Sequence, residues 1–127
     1  MPTSLEKILY VEDEKDIQTI AEIALKDIGG FTVKLCDSGR EAIEKIAEFT
    51  PDLILLDVMM PDMDGPDTLR ELRKIPAFSQ TPAIFMTAKV LPDEVSALRN
   101  EGVIDVIAKP FNPMELSNQI REIWDNQ

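Results

Sequence analysis

The chain of 127 residues contains no histidine. That excludes a Ser-His-Asp or Cys-His catalytic group, a zinc–histidine site, and any role as a carrier of phosphohistidine. Cys36 is the sole cysteine, so no internal disulfide can form, and a reducing compartment, the cytoplasm, is the expected location. Its Val- and Leu-rich neighbours mark Cys36 as a small buried hydrophobe rather than a reactive thiol. Basic residues are scarce, 13 Lys and Arg against 24 Asp and Glu, for a net charge of −11. This balance argues against direct binding to nucleic acid or to an anionic membrane, because phosphate-rich partners attract Lys/Arg patches. Long apolar runs are missing as well. The run at residues 8–11 is too short for the core of a signal peptide and far below the ~18 residues that span a bilayer.

What is present is a regular alternation. Short apolar runs occur at residues 8–11, 31–35, 53–56, 83–86 and 103–108, the last broken only by Asp105. Between them lie helical stripes. Ile17, Ile20, Ala21, Ala24, Leu25 and Ile28 share one face of a first helix that Gly29 and Gly30 stop. Ser38 and Glu41 form a capping box that opens a second helix with Ala42, Ile43, Ile46 and Ala47 as its buried stripe. Pro66 fits the first turn of a third, carrying Leu69 and Leu72. Leu91, Val95 and Leu98 mark a fourth, closed by Gly102. A fifth starts near Asn112 and Pro113 and buries Leu116, Ile120 and Ile123.

Five strand–helix units predict an α/β protein whose parallel sheet is covered on both faces. Right-handed crossovers at this size favour a flavodoxin-like (βα)5 three-layer sandwich with strand order 2-1-3-4-5. One domain over residues 1–127 is expected, with its core at 7–124.

In such a sheet the functional residues lie beyond the carboxyl ends of the strands. The first run ends in Glu12 and Asp13, the third in Asp57, the fourth in Thr87 and Ala88, and the fifth in Lys109 and Pro110. Taken singly, each acid reads as well as a solvated group or helix cap as it does as a functional one. Together they converge on one edge. Two unit charges ~4 Å apart repel by about 4 kcal/mol at an effective dielectric of ~20, so three such acids call for a cation. A hard divalent ion with oxygen ligands, Mg²⁺, is the natural choice. With Lys109 to neutralise an anion, Thr87 to donate a hydroxyl and one spare carboxylate, this is the outline of a phosphoryl-transfer site forming an acyl phosphate.

Two other motifs fail. Asp62, Asp64, Gly65 and Glu71 match part of a calcium-loop spacing, but Met60 stands at its first ligand position and Pro61 follows, so a solvated turn before the third helix is the simpler reading. No glycine-rich Gly-x4-Gly-Lys loop is present for nucleotide binding.

The segment Leu56, Asp57, Val58, Met59, Met60, Pro61, Asp62, Met63, Asp64, Gly65 carries a family likeness when taken with the other strand ends. With Glu12 and Asp13 before it and Thr87, Ala88, Lys109, Pro110 and Phe111 after it, the chain resembles the receiver domain of two-component response regulators. The resemblance runs from Ile8 to Trp124. It implies that Asp57 is the phosphoacceptor, that Asp13 and Asp57 bind Mg²⁺ through side chains with the carbonyl of Met59, and that Glu12 acts through water. It places Thr87, Ala88 and Lys109, with Met59, around the phosphoryl group, and it implies a cis Lys109–Pro110 bond. Met59 and Lys89 would flank the attacking water and tune the acyl-phosphate lifetime.

The phosphoryl donor would be a sensor histidine kinase, a histidine phosphotransfer protein or a small acyl phosphate, since this chain has no histidine of its own. The output would be a protein target met through the fourth helix, fifth strand and fifth helix. No external substrate is expected, so the chain is not an enzyme beyond its own phosphorylation and dephosphorylation. One position departs from the family pattern: Val106 stands where an aromatic ring normally swings with the threonine. That leaves a second reading, a pseudo-receiver that binds partners without taking up phosphate. A dehalogenase-like phosphatase, the other aspartyl-phosphate class, expects Asp-x-Asp after the first strand, which is absent. With nothing resembling a linker after Trp124, both a stand-alone receiver and a domain of a longer protein remain open.

Overall fold

A computed structural model describes residues 4–127. Five parallel strands, β1 (Lys7–Val11), β2 (Thr32–Cys36), β3 (Leu53–Asp57), β4 (Ala83–Thr87) and β5 (Asp105–Ala108), pair in the order β2-β1-β3-β4-β5. The helices are α1 (Lys15–Glu22), α2 (Gly39–Phe49), α3 (Gly65–Arg73), α4 (Pro92–Arg99) and α5 (Leu116–Asp125). The expected flavodoxin-like sandwich is therefore the observed one. Strands β3 and β4 are buried along their whole length, which is why their sequences are apolar without alternation.

The sheet separates two apolar layers. On one face Ile8, Tyr10, Leu25, Leu53, Leu55, Ile84, Ile107, Leu116 and Ile120 pack under α1 and α5. On the other, Leu9, Val11, Ile46, Ile54, Leu56, Leu69, Leu72 and Phe85 pack under α2 and α3. Cys36 is fully buried, and burial pushes its thiol up to about 12, so it stays protonated and inert.

Several helix details differ from the sequence reading. The first helix passes at Ile23 into a π-helical stretch, Ile23–Ile28. Its wider turn breaks the 3.6-residue phase on which the stripe was drawn, and Ile28 ends 45% exposed. Ile20 is equally exposed, while polar Gln18 is buried in its stead because its amide donates to the main-chain oxygen of Glu12. The carbonyl of Ala24, which accepts from the Gly29 N–H at 3.1 Å, also accepts from Ser117 Oγ of α5 at 2.7 Å. Ala47 is exposed, β5 begins at Asp105 rather than Val103, and α5 begins at Leu116 after a turn through residues 113–115. Helix α4 has no fully buried residue. Ser38 caps α2 as expected, accepting from the Glu41 N–H at 3.1 Å, but Glu41 reaches back to the N–H of Asp37 rather than to Ser38.

Candidate functional site

The strand register decides which side chains meet. Val11 pairs with Leu56, Asp57 with Met86, and Thr87 with Ala108. One residue further along each strand, Glu12, Asp57, Thr87 and Lys109 come out on a single rim. The ladders extend just past the strands to hold them there. The N–H of Glu12 donates to Cys36, that of Val58 to Met86, and that of Lys109 to Thr87, at 2.9–3.0 Å.

Carboxylate oxygens of Glu12, Asp13 and Asp57 lie within 4.8 Å of one another. Lys109 Nζ donates to Asp57 Oδ1 at 2.9 Å and to Glu12 Oε1 at 3.0 Å. Both acids are buried, and the lysine side chain is only 12% exposed. With every group ionised the rim holds three negative charges against one positive. Burial therefore dominates, raising Glu12 and Asp57 above the ordinary carboxylate range, with Lys109 pulling both back. Burial disfavours the Lys109 ammonium too, but its hydrogen bonds to Asp57 and Glu12 outweigh that and raise it overall.

A divalent cation fits this donor set. Asp13 Oδ1 is, among the described residues, the buried side-chain oxygen that has no hydrogen-bond partner. An orphaned carboxylate oxygen beside two other acids is costly unless something positive meets it. Hard oxygen donors suit Mg²⁺.

The other predicted residues line the same rim. Thr87 is buried, and its Oγ1 accepts from the Lys89 N–H at 3.0 Å. The side chains of Met59 and Ala88 face solvent. The Lys109–Pro110 bond is cis, as the resemblance implies. Val106 lies opposite Phe85 in the ladder and packs into the layer under α2 and α3. The partial calcium-loop motif is not a cluster: Asp64 instead caps α3, accepting from the Asp67 N–H at 2.9 Å, and Glu71 pairs with Lys74.

Two contributors were not read from the sequence. Tyr10 Oη donates to Glu12 Oε1 at 3.2 Å, and Gln18 holds the Glu12 carbonyl. A tyrosine in a buried strand looks like any large apolar residue; its place two residues before Glu12, on the same side of β1, was the available signal.

Gly65 closes the rim from α3. Its N–H donates to Val58 at 2.9 Å, and a Cβ there would lie 2.7 Å from the Asp57 carbonyl oxygen and 3.0 Å from Val58 Cα. Backbone cannot yield as a flexible side chain can. Gly65→Ala is expected to lower stability by about 1–3 kcal/mol, read as a lower urea midpoint. An unchanged midpoint would contradict the crowding.

Comparison with known proteins agrees with this fold. Residues 8–121 match the family described as the response regulator receiver domain. A probable transcriptional regulator, ycf27 of Guillardia theta, is 40% identical over 93% of the chain, and the DNA-binding response regulator MtrA of Mycobacterium tuberculosis is 36% identical over 95%. The chain spans about half the length of these relatives, 45% and 51%. Among solved structures, the chemotaxis protein CheY4 of Vibrio cholerae is similar with a TM-score of 0.86 and 28% identity, covering 94% of this chain and 99% of that one. The receiver domain of a histidine kinase from Syntrophus aciditrophicus gives 0.80 and 30%, covering 95% and 91%. Among the described residues no helix is long and apolar enough to cross a membrane. By its match over residues 8–121 and its strand order, the chain belongs to the response regulator receiver domain family.

Proposed function

We propose that this receiver domain takes a phosphoryl group onto Asp57 in the presence of Mg²⁺ and thereby changes its protein contacts. The observation that carries this reading is the meeting of Glu12, Asp13 and Asp57 within 4.8 Å under a lysine bonded to two of them.

Asp13 and Asp57, with the Met59 carbonyl, would hold the ion, and Glu12 would act through water. When bound, Mg²⁺ supplies positive charge that offsets the acids and the incoming phosphoryl oxygens. One carboxylate oxygen of Asp57 attacks phosphorus as the P–N bond of a phosphohistidine on another protein breaks. The departing imidazole nitrogen keeps the electron pair and takes a proton from solvent. Lys109 moves its hydrogen bond from the Asp57 carboxylate to a phosphoryl oxygen. The Thr87 hydroxyl and the Ala88 N–H donate to the other phosphoryl oxygens. No external substrate is turned over.

The donor is a sensor histidine kinase or a histidine phosphotransfer protein. The target meets the face of α4, β5 and α5; at its β5–α5 edge, with no part of α4 in its wall, lies a groove of about 520 Å³ lined by Ile104, Asp105, Gln119 and Ile123. The acidity of this chain speaks for its own surface, not for a longer protein, since MtrA is described as DNA-binding.

The test is incubation with Mg²⁺ and a small acyl phosphate, followed by intact-mass measurement. A mass gain of one phosphoryl group is expected in the wild type and none in Asp57→Asn. The complete set of acids, Thr87 and Lys109 argues against a pseudo-receiver, while Val106, with no ring to follow Thr87, is the one departure that speaks for it; a wild-type chain that gains no mass would support that second reading.

A further inference from the structure

Tyr10 is the single tyrosine of the chain and is fully buried in β1. Its layer is apolar, built from residues such as Ile8, Leu25, Ile107, Leu116 and Ile120, and nothing in that packing needs a hydroxyl. A buried phenol must find a partner. This one donates to Glu12 Oε1 at 3.2 Å. The same oxygen accepts from Lys109 Nζ at 3.0 Å, and Oε2 accepts from the Glu14 N–H at 3.2 Å. Glu12 is thus held from below by Tyr10, from the side by the α1 entry and from above by the lysine that also holds Asp57.

We propose that Tyr10 is a positioning residue for the acidic site, its O–H fixing the Glu12 carboxylate and keeping Lys109 divided between Glu12 and Asp57. This rests on the Mg²⁺ reading above. Without the phenol proton, Lys109 becomes the one side-chain donor to Glu12 Oε1. The ammonium is then drawn further in among the acids, where its charge opposes a divalent cation. Glu12 also loses the anchor that fixes its orientation.

Tyr10→Phe keeps the ring and its packing while removing only the O–H. Calorimetric titration of the whole chain with Mg²⁺ is expected to give a dissociation constant about three- to tenfold weaker than wild type, the scale of losing one ordinary intramolecular hydrogen bond. A second readout needs no variant. In wild type carrying ¹³Cζ-labelled tyrosine, the lone tyrosine resonance is expected to move with Mg²⁺ along the same saturation curve, since an ion that changes the Glu12 carboxylate changes the phenol's hydrogen bond.

Equal Mg²⁺ affinities in the two proteins overturn the proposal, as does a tyrosine resonance that stays still while Mg²⁺ binds. Should Tyr10→Phe fail to fold, the wild-type resonance decides the matter alone. A wild-type chain that binds no Mg²⁺ overturns the acidic-site reading itself, and the positioning role with it.

Discussion

Lys109→Met is expected to lower the stability of the Mg²⁺-free protein by about 3–5 kcal/mol at neutral pH, the cost of removing one partner from a buried ion pair. Methionine retains most of the apolar stem, so packing changes little. What goes is the ammonium 2.9 Å from Asp57 and 3.0 Å from Glu12, leaving two buried carboxylates with no cation between them. The pH dependence has a definite sign. Glu12 and Asp57 are already raised by burial, with Lys109 opposing, so the variant raises them further. A group raised in the folded state contributes its full stability below its unfolded pKa and loses it as pH rises through the folded one. The deficit should be widest at neutral pH and close as the acids take up protons. Urea titrations of both proteins across that range would show it. A deficit below about 1 kcal/mol at neutral pH would place the pair with exposed ones.

Mg²⁺ itself should produce the second large effect. At roughly 100 times its dissociation constant, an ion that binds only the folded chain adds about 2.7 kcal/mol. For a domain of this size that is a rise of roughly 10 °C in Tm. The increment should shrink as pH falls through the raised range of Glu12 and Asp57, because protons compete for the same oxygens. It should largely vanish in Asp13→Asn, which removes charge from the residue whose Oδ1 has no protein partner. A melting curve indifferent to Mg²⁺ at neutral pH would contradict the metal reading outright.

The strands were legible because β3 and β4, buried on both faces, are apolar at every position before their last residue. The candidate site stood out for a related reason: the abrupt change from Leu56 to Asp57, or from Val11 to Glu12, marks a strand's carboxyl end. Helix faces were read less well. Periodicity assumes an unbroken α-helix, and the π turn at Ile23–Ile28 violates it without any glycine or proline to announce the change. Gln18 shows the other limit. An amide ranks as polar until a main-chain oxygen meets it, and only the folded arrangement brings Glu12 into reach. Tyr10 was hidden in the opposite way, since its ring satisfies the apolar pattern and its hydroxyl leaves no trace in it.

Helix α4 is secured differently from its neighbours. It buries no side chain completely, while near its end Arg70 reaches Glu101 and Arg99 reaches Asp105, both at 2.8 Å on the surface. Peeling this segment away would therefore wet little oily area and would break fastenings that dissolved ions already weaken. The rest of the sandwich need not unravel when it lifts. Of the five covering helices, this is the one expected to lift first.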